Sequence, residues 1–538
     1  MSADLEIELK FVFAEEDGSK VEALIAAIPA ARPPVHQHLA AVYYDTPEGE
    51  LWTQGFVLRV RSAGERRIQT LKRRGFSDIK REEWEAETIG TELDFDLLQG
   101  TPFASLVAKA SVRHALHPVF EVHVDRSSYW LEAGASLIEA SIDRGEITAK
   151  GERLMLRELE LELKNGELRD SFNLARALVS QAPLHPSLIS KAEQGYLLAA
   201  GTYGTAAKSS KPHLSRRMTN KQAFQAIGLA CLHDINLNIL GLEAPDNVEA
   251  IHQVRVAIRR LRAALALFKP IVFDPSFPRL DGELKWLAQM FGGARDMDVL
   301  EAHLTLEVGL TDIHERPLGP IALCKAKGQA ARQAAIKALR SERGRICLLE
   351  LAMWFEEMES GPSQFGNADE PLKIYVRGRL KKRLKKLLKS AVRLAHLGQV
   401  SRHKIRIRAK ELRYMADFFS GIPGIANDRK SLKKLVKYCE KIQGALGQLR
   451  DAQVMREFLH GLAEQKPPGK VATGSVIFFP EQSQTPAQTH TTITKESSKA
   501  LLKARKHAGK KANGDKDEKK SLRTALRAYA HLAALEVF

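Results

Sequence analysis

The first 200 residues alternate between apolar and charged side chains with a period of two. In the stretch Glu6-Ile7-Glu8-Leu9-Lys10, an extended backbone places Glu6, Glu8 and Lys10 on one face and the apolar residues on the other. The same alternation predicts strands at residues 57–61, 69–72, 81–87, 120–126, 138–143 and 158–164, with few helices, at residues 19–28, 168–181 and 191–200. Many antiparallel strands with few helices predict a closed or nearly closed sheet.

The charged faces of these strands differ in sign. Acidic residues concentrate on the first strand and on Glu158 to Glu162, whereas Arg59, Arg61 and Lys72 lie on other strands. These faces either contact solvent, as in any half-buried sheet, or point into a polar tunnel that a ligand and a metal must neutralise. The separation of acids from bases favours the tunnel. Because carboxylates suit Mg²⁺ or Mn²⁺ and guanidinium groups suit phosphate oxygens, this arrangement indicates phosphoryl transfer.

The pattern changes after a linker at residues 201–217, which is rich in Gly, Thr, Ala, Ser and Lys. Beyond it, apolar residues recur every three or four positions, and strand candidates are nearly absent. Helices are predicted at residues 224–240, 248–268, 280–290, 299–308, 321–339, 346–358, 372–395, 403–419, 432–446 and 451–462. The fold class is therefore multidomain, with an N-terminal antiparallel β tunnel followed by an all-α bundle at residues 218–463.

The helical half contains an internal duplication. One histidine and three basic residues recur at i, i+3, i+7 and i+10 of two segments that lie 151 residues apart: His252, Arg255, Arg259 and Arg262 in the first, and His403, Arg406, Lys410 and Arg413 in the second. That spacing is one face of a helix. An Arg-Asp pair follows each copy, at Arg295 and at Arg450. Two equivalent basic helices would line a shared groove, which the cationic helix at residues 375–388 would widen.

Charge is distributed unevenly along the chain. The net charge is +17 overall, but residues 1–200 contain 23 Lys and Arg against 32 Asp and Glu, which leaves 59 against 33 for the remainder. A strongly basic second half predicts a polyanionic partner. Its basic helices carry almost no aromatic residues for base stacking, so polyphosphate is favoured and nucleic acid is disfavoured. The two histidines either add charge below neutral pH or are packing residues.

Other features bear on location. The four cysteines, Cys231, Cys324, Cys347 and Cys439, lack metal-site or disulfide spacing, which predicts structural thiols in a reduced compartment. We expect a cytoplasmic protein, associated with polyphosphate granules if it binds that polymer, with no membrane span or signal segment. Residues 464–520 have low complexity and are expected to be flexible, and residues 521–538 are predicted to form a closing helix.

An ordered set of motifs in residues 1–200 resembles the CYTH family of triphosphate tunnel metalloenzymes. The set comprises EIELK at Glu6, YYDT at Tyr43, LRVR at Leu58, TLKRRG at Thr70, EWE at Glu83, IDRG at Ile142, ELELELKNGE at Glu158 and SKAEQGY at Ser190. The resemblance implies an eight-stranded tunnel in which Glu6, Glu8, Glu158, Glu160 and Glu162 hold one or two Mg²⁺ or Mn²⁺ ions. It assigns triphosphate binding to Lys10, Arg59, Arg61, Lys72, Arg126 and Lys191.

Two assignments within that resemblance stay open. One concerns Asp143, Glu83 and Glu85. These residues either complete the metal shell or orient the attacking water, or they are salt-bridge partners in the tunnel wall. The catalytic candidates are Lys10, Glu83 and Glu85. Three glutamates alternate from Glu158 onward where two suffice, and we favour Glu160 and Glu162 because they lie beside the turn at residues 164–166.

The helical half resembles the CHAD domain, from about Met218 to about Leu462. That resemblance implies binding of inorganic polyphosphate, and Glu411, which replaces Arg260 of the first copy, is expected to point away from the groove. We therefore expect a divalent-metal-dependent inorganic triphosphatase that hydrolyses tripolyphosphate. The alternatives are a non-catalytic polyphosphate-binding scaffold and other activities of the tunnel fold, thiamine triphosphatase and adenylate cyclase.

Overall fold

The computed structural model describes residues 4–75, 77–90, 92–244, 247–309, 319–358, 370–391, 394–426, 429–464 and 516–535. The chain divides into two units, which are considered separately below. The first unit comprises Met1–His213, Asn220–Ala294 and Ala330–Asp369, and the second comprises Leu214–Thr219, Arg295–Gln329 and Glu370–Phe538. The first unit therefore includes the N-terminal region together with the first part of the helical half. The domain boundaries expected from the sequence stay predictions.

Eight antiparallel strands of the described chain close into a barrel, as predicted. They are β1 (Asp4–Val12), β2 (Ala30–Asp45), β3 (Phe56–Ala63), β4 (Arg66–Arg73), β5 (Lys80–Glu87), β6 (His117–Ala133), β7 (Ser136–Ala149) and β8 (Glu152–Asn165). Their order is β5-β4-β3-β2-β6-β7-β8-β1, and pairing of β1 with β5 closes the sheet. A short ninth strand, β9 (His185–Ser187), adds to β1 beside Lys10.

The register of β1 decides which charged residues become neighbours. Its first part pairs with β5, where Glu6 lies opposite Arg81, and its second part pairs with β8, where Lys10 lies opposite Glu160. On the next pair of strands, Lys72 of β4 lies opposite Glu83 of β5. The acidic strands β1 and β8 are therefore adjacent, but β5 places acids directly beside the bases of β4.

Mostly short helices cover the barrel. They are α1 (Gly18–Ala26), α2 (Glu50–Thr53), α3 (Ala104–Val107), α4 (Ala110–Ala115), α5 (Leu168–Gln181) and α6 (Lys191–Ala199). Leu58, Leu71 and Trp84 of three neighbouring strands are buried together with Phe103 and Val107 of the α3 region. This apolar outer layer leaves the charged alternate positions of the same strands on the inner face.

Helix α6 approaches the sheet very closely because one of its residues is glycine. A β-carbon added to Gly195 would lie 2.2 Å from the Phe120 ring, which is nearer than real β-carbons come to other atoms. Phe120 also stacks on Tyr43, with ring centroids 4.4 Å apart. This packing fixes the position of α6, whose first residue is Lys191.

The helices of the remaining chain follow the predicted pattern, with two differences. They are α7 (Asn220–Ile239), α8 (Val248–Val272), α9 (Phe277–Gly309), α10 (Gly319–Arg340), α11 (Glu342–Glu357), α12 (Leu372–Ala391), α13 (Gln399–Phe418), α14 (Arg429–Glu464) and α15 (Lys516–Ala533). The predicted breaks at residues 291–298 and 447–450 were wrong, since α9 and α14 run through them. Glycine only weakens a helix, and neither segment contains proline.

In the first unit, α7 packs on α8 and α11 through an aromatic cluster. The ring of Phe224 lies 5.3 Å from that of Phe268 and 5.5 Å from that of Trp354, centroid to centroid. The same unit joins α11 to the barrel region, because Arg345 donates to the main-chain oxygen of Val179 at 3.1 Å. The barrel and these helices therefore share one packed structure.

In the second unit, the C-terminal helix α15 packs on α14. Tyr529 of α15 is completely buried, and the rings of Tyr438 and His531 stack at 5.4 Å. Arg402 of α13 pairs with Glu518 at 2.8 Å. The predicted closing helix is thus present and begins earlier than expected, while most of the low-complexity segment, residues 465–515, lies outside the described residues.

The cysteines are buried and unpaired, in agreement with structural thiols. Burial raises the pKa of Cys231, Cys347 and Cys439 to about 12.

Among the described helices, none combines the length and the apolar character that crossing a bilayer requires.

Packing of α7 against α11 gives a direct test of the fold. A β-carbon at Gly228 would lie 2.2 Å from the Phe355 ring, whereas Gly282, a position on α9, has no neighbour within 4 Å. We expect Gly228→Ala to lower the free energy of unfolding by about 1–3 kcal/mol, the usual cost of overpacking. Gly282→Ala, the matched control, should raise it by up to about 1 kcal/mol through helix propensity. Thermal or urea unfolding measures both, and equal stabilisation by the two substitutions would contradict the packing.

Candidate active site

The barrel encloses a cavity of about 370 Å³ whose lining is mostly charged. Twelve of the fourteen residues predicted for the tunnel site line it: Glu6, Glu8, Lys10, Arg59, Arg61, Lys72, Glu83, Glu85, Arg126, Glu160, Glu162 and Lys191. Altogether the lining contains ten Lys and Arg and eight Asp and Glu. The charged strand faces therefore point inward, which was the tunnel interpretation of the alternation.

On β1, Glu6 accepts a hydrogen bond from the Lys72 ammonium at 2.7 Å and lies 3.6 Å from the Arg81 guanidinium. Burial alone would raise the pKa of Glu6, but Lys72, Arg81 and Lys10 together hold it well below its usual range. Glu6 is therefore a carboxylate at any ordinary pH, and its charge is available to a cation that replaces one of these bases.

Glu8 behaves differently although it lies only two residues away. Its side chain contacts the Lys10 ammonium and accepts from Arg81 at 2.8 Å. Burial and repulsion from Glu160 raise the pKa of Glu8 to about 7, in spite of these two bases. Two buried carboxylates face each other, and their repulsion favours a proton on Glu8 over the carboxylate form.

The pKa of Glu160 moves in the opposite direction. Burial would raise it, but Lys191 and Arg126, at 2.5 Å and 2.6 Å from its two carboxylate oxygens, hold it well below the usual range. The neighbouring Glu162 is only partly buried, pairs with Lys164 at 2.7 Å, and has its pKa raised chiefly by that burial. Of the three alternating glutamates, the two nearest the turn thus line the cavity, as favoured from the sequence.

The remaining glutamate, Glu158, and Asp143 do not line the cavity. Both are completely buried, and both contact the Lys191 ammonium, at 2.7 Å and 2.9 Å. Asp143 also binds Arg126 through two hydrogen bonds of 2.7 Å and 2.6 Å. Both carboxylates lie against α6, through Lys191 and, for Glu158, also Gln194, and their assignment as metal ligands stays a prediction. For Asp143 the salt-bridge interpretation fits.

The basic wall on β3 and β4 is held by acids from β5. Arg59 lies 3.8 Å from both Glu83 and Glu85, and Arg61 lies 3.5 Å from Glu85. The pKa of Arg61 is lowered, first by the charge of Arg59 and then by burial, because two guanidinium groups are crowded together. Crowded cations of this kind gain stability when an anion binds between them. Glu83 and Glu85 both line the cavity and form salt bridges, so either role remains compatible with their position.

Several residues that line the cavity were not among those predicted from the sequence. Arg81 is buried, lines the cavity and binds Glu8, although its position on the face of Glu83 and Glu85 was visible in the alternation. Asp78, Glu139 and Lys164 also line the cavity. No sequence signal identified Asp78, which lies in the connection before β5, whereas Lys164 continues the alternation of β8.

The cavity offers oxygen donors that suit a divalent cation. Among the described residues, no three His, Cys, Asp or Glu side chains already converge as a metal site. The acids of the cavity are instead engaged by Lys and Arg. Even so, Glu6, Glu8 and Glu160 offer only hard oxygen donors, and the burial and repulsion that raise the pKa of Glu8 favour any cation that would neutralise its carboxylate. The residues therefore fit Mg²⁺ or Mn²⁺, with Glu6, Glu8, Glu160 and Glu162 as the candidates to hold it.

The helical half presents its predicted basic faces on α8 and α13. On α8, the side chains of His252, Arg255, Arg259 and Arg262 are half-buried along one face, and Val254, Ile258, Leu261 and Leu265 are buried. Arg260 instead binds the main-chain oxygen of Ser210 in the linker at 2.8 Å. The first copy thus keeps its basic stripe apart from its apolar side.

On α13, His403 and Arg406 are half-buried and Lys410 is buried, while Arg413 pairs with Glu440 at 3.3 Å. The Nδ1 atom of His403 lies 3.1 Å from the Arg450 guanidinium, so the Arg-Asp motif that follows the second copy contacts its histidine. Glu411 pairs with Arg383 of α12 at 2.7 Å. The groove shared by α8 and α13 stays a prediction, because the two helices belong to different units.

Comparisons with known proteins agree with this geometry. The chain is 30% identical over 207 residues to the inorganic triphosphatase of Haemophilus influenzae, an alignment that covers 37% of this chain and 56%, just over half, of that protein. It is 27% identical over 490 residues to an uncharacterized protein of Mycobacterium tuberculosis, covering 85% of this chain and 88% of the relative.

Among solved structures, the crystal structure of the CHAD domain from the plant Ricinus communis matches with 26% identity and a TM-score of 0.44, covering 60% of this chain and 96% of the plant domain. Two family models match the chain in succession, the CYTH domain at residues 4–196 and the CHAD domain at residues 226–460. The chain therefore belongs to the proteins in which a CYTH domain is followed by a CHAD domain.

Proposed function

We propose that the barrel hydrolyses inorganic tripolyphosphate and requires Mg²⁺ or Mn²⁺. The observation that carries this proposal is the cavity inside the barrel, in which Glu6, Glu8 and Glu160 adjoin a wall of Lys and Arg. A surplus of only two cations in the lining does not balance a triphosphate, so divalent ions and substrate together would neutralise the cavity. The similarity to an inorganic triphosphatase over 207 residues and the match of residues 4–196 to the CYTH domain support the same activity.

The chain's own residues would act as follows. Arg59 and Arg61, with Lys72, would bind the phosphate oxygens on one side, and Arg126 with Lys191 on the other. Lys10 would neutralise charge on the phosphoryl group under attack, and Glu83 or Glu85 would accept a hydrogen bond from the attacking water. Bound divalent ions, held by Glu6, Glu8, Glu160 and Glu162, would supply the remaining charge stabilisation.

An inorganic substrate accounts for the lining better than a nucleotide or thiamine ester. Of the lining residues, Tyr43 is the aromatic one, and its ring already stacks on Phe120. Its hydroxyl lies 3.4 Å from the Arg59 guanidinium. The described cavity wall therefore offers charge for phosphate and no evident stacking surface for a base or a thiazolium ring.

For the CHAD domain we propose binding of inorganic polyphosphate on the basic faces of α8 and α13. Four cationic or titratable residues follow one face of each helix, at half-buried or buried positions. Partial burial holds their nitrogen donors in fixed directions, which suits a regular chain of phosphates. Polyphosphate would thus concentrate near an enzyme that acts on short polyphosphates.

Substitution of two candidate metal ligands tests the proposed hydrolysis of tripolyphosphate. Glu8→Gln and Glu160→Gln should each lower kcat/KM for tripolyphosphate on the order of 100-fold or more, the loss typical of a missing electrostatic group in a closed site. The control is Glu152→Gln, an exposed glutamate on the same strand as Glu160. Phosphate release from tripolyphosphate, ATP and thiamine triphosphate measures the effect. If the wild-type protein releases phosphate from none of them, the binding scaffold is the better hypothesis.

The raised pKa of Glu8 predicts how metal binding depends on pH. Because a cation binds the carboxylate and the pKa lies at about 7, affinity for Mn²⁺ should rise as pH increases from about 6 to about 8, where the proton is lost. In Glu8→Gln this rise should largely disappear. Calorimetric titration with Mn²⁺ at several pH values measures this affinity. An affinity of the wild type that does not change with pH across this range would contradict competition between Mn²⁺ and a proton on Glu8.

Binding to the CHAD domain is tested by removing two charges at a time. Arg255→Gln with Arg259→Gln should weaken polyphosphate binding and reduce its salt dependence, by roughly 0.7 in the log–log slope for each phosphate that the variant no longer neutralises. The control removes two exposed lysines of the same unit that are not on α8, Lys150 and Lys337. Equal weakening in both double variants would mean that overall charge decides binding. Binding of single-stranded DNA as tightly as polyphosphate at matched salt would refute the preference.

A further inference from the structure

Two segments of the cavity wall are held by helices α7 and α11 of the CHAD region. One segment, residues 188–193, carries Lys191, and the other, residues 77–81, carries Asp78 and Arg81. The first segment contacts α7 and the second contacts α11, and both helices belong to the same unit as the barrel. The wall of the cavity therefore depends on residues that the tunnel motifs do not include.

The contact with the first segment is made by His233 of α7. Its Nε2 atom lies 3.0 Å from a carboxylate oxygen of Glu193, which is itself buried in the first turn of α6. One turn further along α7, Asn236 accepts a hydrogen bond from the main-chain nitrogen of Leu188 at 3.4 Å. Helix α7 thus contacts the chain on both sides of Lys191.

The contact with the second segment is made by Glu356 of α11, a completely buried side chain. It accepts a hydrogen bond from Ser77 and lies 3.6 Å from the Lys80 ammonium. Ser77 in turn accepts from the main-chain nitrogen of Ile79 at 2.9 Å, and the oxygen of Ile79 accepts from the nitrogen of Glu8 at the same distance. This chain of hydrogen bonds connects α11 to the backbone of β1 at a candidate metal ligand.

We propose that His233 is a positioning residue, supplied by the CHAD region, which sets the place of the substrate-binding Lys191 through Glu193. Lys191 is the first residue of α6, and its ammonium contacts Asp143, Glu158 and Glu160. The start of α6 is otherwise held by the Ser190 side chain, which caps the Glu193 nitrogen at 3.2 Å. The proposal rests on the proposed function, since it assigns Lys191 to substrate.

The charges around His233 keep it cationic at neutral pH. Burial would lower its pKa, but Glu193 of α6, Asp78 of the connection before β5 and Asp234 of its own helix raise it to about 9. Arg81 and Arg74 act on the nearby Asp78. The stability that the imidazolium contributes by binding Glu193 is thus fully present below about pH 6.5, and it is lost as the pH rises through about 9.

The test compares His233→Leu with His123→Gln in the full-length protein. The control histidine also lies 3.0 Å from a glutamate, Glu121, but this pair is exposed on the barrel. We expect His233→Leu to raise KM for tripolyphosphate roughly tenfold, equivalent to about 1.4 kcal/mol, while kcat changes much less. His123→Gln should change neither constant. The difference between wild type and His233→Leu should shrink as the pH passes about 9, because both then lack the cation.

A second variant separates positioning from general destabilisation. Glu193→Gln should raise KM similarly, and the double variant should be little worse than either single one, because both remove the same contact. Additive effects, or a fall in kcat and melting temperature with KM unchanged, would overturn the proposal. If the wild type lacks triphosphatase activity, calorimetric binding of tripolyphosphate replaces KM. Equal affinity of wild type and His233→Leu would refute positioning, whereas a tenfold weaker variant would support it even though hydrolysis had failed.

Discussion

The barrel interior depends on the balance of buried charges of opposite sign. Eighteen ionisable Lys, Arg, Asp and Glu side chains line one cavity, a density that would be untenable if any large group of them lacked a partner. Each acid of the site is therefore held by bases, as Glu6 is by Lys72 and Glu160 by Arg126 and Lys191. The same pairing leaves these bases ready to exchange a carboxylate for a phosphate oxygen, since the two anions accept the same hydrogen bonds.

This balance explains why two glutamates on one strand have such different pKa values. Glu6 lies between Lys72 and Arg81, so its negative charge is stabilised, whereas Glu8 faces Glu160 and takes up a proton. A proton on Glu8 would reduce the repulsion between the two carboxylates. It also links occupancy of the cavity to pH, since a metal and a proton compete for the same carboxylate.

The sequence predicted much of the barrel because its inward and outward positions alternate strictly. The tunnel residues on β1, β3, β4 and the end of β8 follow directly from that alternation. Strand β2 escaped notice because its first part, residues 30–38, is exposed and includes Pro33 and Pro34, so no apolar face marks it. Alternation also cannot tell how far along the tunnel a side chain lies, which is why Glu158 was grouped with Glu160 although α6 covers it.

Contacts between distant segments were beyond the reach of such patterns. Arg81 became part of the site because β1 pairs with β5, and no local feature of either strand specifies that closure. In the helical half, periodicity located the basic faces of α8 and α13, but glycines at residues 292 and 293 suggested an interruption that packing overrides. In the helical half, the periodicity of apolar residues predicts which face of a helix is buried, but not which other helix that face contacts.

The two predicted copies of the basic helix in the CHAD region have different surroundings. The first copy contributes α7 and α8 to the unit that contains the barrel, where Gly228 admits Phe355 and Arg260 binds the linker. Substitutions on those helices are constrained by barrel packing as well as by any polyanion. The second copy, whose α13 packs with α12 and α14, lacks the counterpart of Arg260 and carries Glu411 there, paired with Arg383. The position that contacts the linker in the first copy therefore forms an ion pair with α12 in the second, which accounts for its opposite charge, while both helices have the four-residue basic stripe.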